Sequence, residues 1–184
     1  MSKMPKQPEA MKRSGRPIVA DFHPEEYLYR RVPTRIWPAK DSILDIAAIE
    51  LPDISTARSE FGHPEWLRLD YVNQRVFKKW GIIGVQIKNI IPASCLDNGK
   101  VFTYRVSHVP LEVDYPHSEI QAFDGEQHLN TSEAVLPEEL HLEWRANLLE
   151  VFETFIPPGE DWAIREEPPG SHVPETHPDD SRKS

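Results

Sequence analysis

The sequence predicts an α+β fold: a small, mostly antiparallel sheet with helices packed on one face, a long amphipathic C-terminal helix and disordered tails. Three observations lead there. Ile83, Val85 and Ile87 alternate with Gly84, Gln86 and Lys88, and Phe102, Tyr104, Val106 and His108 alternate with Thr103, Arg105 and Ser107, which is the period of half-buried strands. Leu140, Trp144, Leu148 and Phe152 recur every fourth residue behind Pro137-Glu138-Glu139, the pattern of an amphipathic helix with proline and acids in its first turn. The 18 prolines gather toward both ends. The expected organisation is therefore a basic flexible tail over 1–20, one globular domain over 21–156 and an acidic, proline-rich tail over 157–184.

Each element of the domain has its own signal. Asp21 or His23 can cap a short helix opening at Pro24, with Glu25 and Glu26 at the positive end of its dipole and Val32-Pro33 as its stop. Phe22 and Leu28 should then point inward. Ser42 to Leu51 reads as a strand, with a short helix as the alternative, and Ser55 to Ser59 reads as a turn. His63-Pro64-Glu65 repeats the helix-start signal and predicts a helix from Pro64 to about Lys79 with Leu67, Tyr71, Val72 and Val76 on one face. The strands over 80–90 and 101–109 are expected to pair with each other across a link that holds Cys95 and the turn signal Asn98-Gly99. His117 to Phe123 reads as a further short strand, and Gly125 to Leu136 as a loop. The C-terminal helix, its stripe extended by Leu149, Phe155 and Ile156, should stop at Pro157-Pro158-Gly159.

Composition narrows the function classes. A single cysteine cannot build a disulfide framework and fits a reducing compartment, so a cytoplasmic location is expected. The basic residues Lys3, Lys6, Lys12, Arg13 and Arg16 have no apolar run behind them, unlike a secretory signal. No apolar stretch approaches the ~20 residues that span a bilayer, so no membrane partner is expected. The formal net charge of -9 repels a phosphate backbone, which argues against nucleic acid as a partner.

Four groups of residues carry candidate chemistry. His108, His117 and Glu119 supply two imidazoles and a carboxylate, a donor set that suits zinc or a similar ion, although their spacing follows no established zinc motif. Cys95 with His108 would make a nucleophile and its base if the fold brought them together. Tyr27, Tyr29, Arg30, Arg31, Arg35 and Trp37 interleave aromatic and guanidinium groups, the residue types enriched at interface hot spots and able to stack on bases. His23, Glu25, His63 and Glu65 could converge on a metal, but His-Pro-Glu is more simply a helix start.

No phosphate loop, dinucleotide fingerprint, nucleophile elbow, HExxH or CxxC occurs. The expected function is therefore a protein-interaction module, a small cytoplasmic subunit or adaptor of a larger assembly, working without a cofactor and gripping another protein through Tyr27, Tyr29, Arg30, Arg31, Arg35 and Trp37. The alternative is a metal-dependent, hydrolase-like enzyme built on His108, His117 and Glu119.

Overall fold

The computed structural model describes residues 4–38, 44–50, 52–90, 102–130, 138–159 and 164. Its strands are β1 (Tyr27–Val32), β2 (Asp53–Arg58), β3 (Leu69–Asp70), β4 (Arg75–Val76), β5 (Gly81–Gln86), β6 (Phe102–His108), β7 (His117–Asp124), β8 (Gln127–His128) and β9 (Glu153–Ile156). A seven-stranded sheet runs in the order β6-β7-β2-β1-β5-β9, with β8 folded back onto the end of β7, and β3-β4 form a separate small hairpin. Every pairing is antiparallel.

The molecule is thus mostly antiparallel sheet, and the expected set of helices over a small sheet is corrected. Among the described residues there is one α-helix, α1 (Glu138–Leu149), followed not by more helix but by the strand β9. The edge of β5 explains the change. Thr154 and Ile156 register with Ile83 and Ile82 there, so β9 gains a backbone ladder that a longer helix would forgo. No helix among the described residues is long and apolar enough to cross a membrane.

Other expectations shift for similar reasons. The first predicted helix is β1, because the ladders it forms with β5 along its whole length and with β2 over Leu28 and Tyr29 override its proline start. The helix expected to reach Lys79 stops after a 3-10 turn at Pro64–Arg68. Asp70 ends it by accepting bonds from the Asn73 backbone (2.9 Å) and the Asn73 side chain (3.1 Å), a local turn that competes with helix. Asp45 caps a short 3-10 turn at Ile46–Ala48, and the strand begins later, at Asp53, through the residues expected to turn. β5 and β6 do not pair; β1, β2 and β7 lie between them. Cys95 and Asn98-Gly99 fall outside the described residues.

Register sorts the sheet into two faces, since directly paired residues point the same way. Leu28, Val32, Ile54, Ile83, Val85 and Ile120 share one face with Val106 and His108. Leu148, Leu149 and Phe152 close the main core over it, while Trp144 sits at 1% exposure against Phe102 and Ala122. We call this the helix face. Tyr27, Tyr29, Arg31, Ser55, Ala57, His117 and Glu119 lie on the opposite face, where Trp66 and the 3-10 turn around it cover part of the sheet.

A buried ion pair joins the sheet to the segment before it. The Arg58 guanidinium donates to both Glu26 carboxylate oxygens at 2.8 Å, with the two side chains only 0% and 3% exposed. It also donates to the carbonyls of Val19 and Asp21 at 2.8 Å. Further along, Arg13 N–H donates to Glu112 O, Tyr115 N–H to Met11 O, and the Tyr115 hydroxyl to Pro17 O. Met11 is 3% exposed, so part of the stretch expected to be a flexible tail is buried, with bonds to the loop that precedes β7.

Candidate functional site

The face away from α1 holds a cleft of about 530 Å³, within the range of about 300–1,000 Å³ typical of small-molecule sites. It exists because β1 and β2 part company. Their ladder comprises only Leu28↔Arg58 and Tyr29↔Ala57. Beyond it Arg30 fills the gap, donating to the carbonyls of Ala48 (2.8 Å) and Ser55 (3.2 Å) and pairing with Glu50 at 3.1 Å. The turn and hairpin from His63 to Asn73 and the loop around Leu111 and Asp114 form the remaining walls.

Arg31 reaches into this space from β1. It pairs with Asp70 at 3.5 Å, donates to Leu67 O at 3.1 Å, and lies 4.1 Å over the Phe77 ring. Burial holds the Arg31 guanidinium below its ordinary pKa, while the Asp70 and Asp114 charges oppose that shift. Burial works against the Asp70 carboxylate too, but the bonds from Asn73 and Arg31 prevail and keep it below the usual carboxylate range. Asp114 goes the other way: burial pushes it up to about 6, against the pull of His117 and Arg31. Such a mixed cluster of charges, one of them strongly shifted, is the kind of setting where functional groups concentrate.

His117 lies in the same cleft at the start of β7. Its Nδ1 is 2.8 Å from the Val109 carbonyl, which can only accept, so Nδ1 carries the proton. Nε2 is then the acceptor for the Ser55 hydroxyl, 3.1 Å away on β2.

The predicted metal trio does not assemble. His108 registers with Ser118, so it points to the helix face, while His117 and Glu119 point to the cleft face. His108 is also satisfied internally: Nε2 donates to Tyr115 O at 2.7 Å and Nδ1 accepts from Val19 N–H at 3.0 Å. Burial lowers its pKa, as befits a neutral structural imidazole. Glu119 instead accepts from Gln121 at 3.0 Å. No cluster of three or more His, Cys, Asp or Glu able to hold a metal occurs among the described residues. Cys95 lies outside them, and both nitrogens of its candidate base His108 are already engaged. Of the two His-Pro-Glu segments, His23 accepts from the Glu25 backbone, and His63 packs edge-on against Trp66.

The predicted partner-binding residues are divided as well. Tyr29 is 2% exposed and meets Phe155 edge-on at 5.0 Å, as Tyr27 does at 4.9 Å. Arg30 and Arg31 leave β1 on opposite faces, yet both line the cleft where β1 and β2 diverge, as does Arg35. Arg35 and Trp37 belong to a rim at the cleft mouth that sequence reading did not assemble. The Thr34 hydroxyl donates to Lys79 O, and the Trp37 ring lies where a side chain on Gly81 would project. These contacts join the 34–37 turn to the 77–80 turn, where Phe77 and Trp80 rings sit 4.7 Å apart. Nothing in the local sequence links the two turns; the Val32↔Gly81 pairing does.

Comparison with protein families, with curated proteins and with solved structures finds no match to this chain.

Proposed function

We propose that this chain is a protein-interaction module, a small subunit or adaptor, that grips an acidic segment of a partner protein at the rim formed by the 34–37 and 77–80 turns. One observation carries the reading. Arg35, Arg75, Lys78 and Lys79 are exposed on these turns and the neighbouring strand β4, and no ion pair to them occurs among the described residues. They lie beside the half-buried rings of Trp37, Phe77 and Trp80. On a chain with a formal net charge of -9, such a local cationic and aromatic patch has its complement in an acidic protein segment. A nucleic acid is disfavoured because its backbone would also meet the acidic remainder.

The test is purification of the intact chain from its native host at low and moderate salt, beside the variant Lys78→Glu/Lys79→Glu, read by mass spectrometry. A stoichiometric protein partner that is lost on charge reversal and weakened by salt is the expected result. A protein that emerges alone at both salts, or a partner indifferent to the reversal, would overturn the reading.

A further inference from the structure

We propose that Ser55 and His117 form a nucleophile–base pair that hydrolyses a small ester bound in the cleft, an activity separate from the rim. An activated serine needs its hydroxyl within about 2.6–3.2 Å of a base, and the base must be oriented by a third group. Here Ser55 Oγ lies 3.1 Å from His117 Nε2, and Nδ1–H donates to the Val109 carbonyl at 2.8 Å. That bond fixes the tautomer in which Nε2 is free to accept.

The base is also held firmly. The His117 backbone pairs with Ala57 in the ladder, its N–H donates to Asp114 O, and its carbonyl accepts from Val109 N–H. Ser55 sits on the adjacent strand at the register of Glu119, so the Ser–His contact is a diagonal across the β2–β7 ladder. Both residues line the cleft with Arg31 and Asp114. Arg31 brings a cation to the same cavity, suited to the oxyanion that develops on a substrate carbonyl.

The chemistry balances without any further reagent than water. Ser55 Oγ bonds to the acyl carbon and its proton passes to His117 Nε2. The ester C–O bond breaks, and the leaving alkoxide takes that proton and departs as an alcohol. Water then attacks the acyl-Ser55 carbon and gives a proton to Nε2, which returns it to Ser55 Oγ as the carboxylic acid leaves. A cleft of about 530 Å³ suits a small polar ester rather than a polymer.

The experiment treats the full chain with a fluorophosphonate probe and, separately, with p-nitrophenyl acetate. We expect one covalent adduct, mapped to Ser55 by peptide mass spectrometry, and a burst of p-nitrophenol. Ser55→Ala should abolish both. His117→Gln should slow labelling by about 10²–10⁴-fold, the usual contribution of a general base, with melting temperatures confirming that both variants fold. Peptide mapping of the wild-type protein needs no variant at all. The absence of a Ser55 adduct, or a labelling rate unchanged in a folded His117→Gln, would reduce the pair to a surface hydrogen bond and overturn the proposal.

Discussion

Arg58→Met should be among the most damaging single substitutions in this chain. Arg58 and Glu26 are 0% and 3% exposed, and two bonds of 2.8 Å join them. Methionine fills much of the same volume but leaves the Glu26 carboxylate buried without its cation, which costs about 3–5 kcal/mol. The Val19 and Asp21 carbonyls lose their donor in the same step, and Phe22 loses the guanidinium 3.9 Å over its ring. At about 2–4 °C per kcal/mol for a domain of this size, Tm should fall by on the order of 10 °C. Urea unfolding followed by circular dichroism measures the loss directly. The companion Glu26→Gln/Arg58→Met should recover part of it, because no buried charge is left unpaired; Glu60, which also pairs with Arg58 at 2.7 Å, is half-exposed to water. A single variant within about 1 kcal/mol of wild type, or a double variant no better than Arg58→Met, would refute this reading of the pair.

Two further outcomes follow from the same structure. Trp144→Ala removes a ring packed 4.9 Å from Phe102 and 5.0 Å from Tyr104, and should cost about 3–5 kcal/mol in denaturant unfolding; a near-unchanged midpoint would mean that this face of α1 is not core. Asp114, lifted by burial from 3.8 to about 6, holds a proton when folded that the unfolded chain has already released between about pH 4 and 6. Its contribution is therefore fully present below about pH 4 and lost as pH rises through 6. Asp114→Asn should raise Tm at pH 7.5, by on the order of 1–3 kcal/mol of stability, and barely change it near pH 4; equal shifts at both pH values would contradict the assignment.

The sequence by itself determined the strands whose alternation is strict. β5, β6 and β7 stand where Ile83-Val85, Phe102-Tyr104-Val106 and Ile120-Ala122 place them, and Trp144 and Leu148 face a core as their helical spacing requires, whereas Phe152 is buried beyond the end of α1. These signals are local, because burying one face of an element imposes a period on its own residues. It also marked His117, Arg31, Arg35 and Trp37 as residues of interest, but grouped His117 with His108, which the register places on the other face. Only the tertiary structure decided that β1 is a strand, that the chain after Phe152 joins the edge of β5, and that β5 and β6 lie on different parts of the sheet. The same long-range register turned His108 away from His117, set Ser55 beside it instead, and brought Trp37 onto Gly81. Strand order and register depend on which edges meet across many residues of chain. A one-residue difference in register reverses the face of every side chain, so no local pattern could have named these partners.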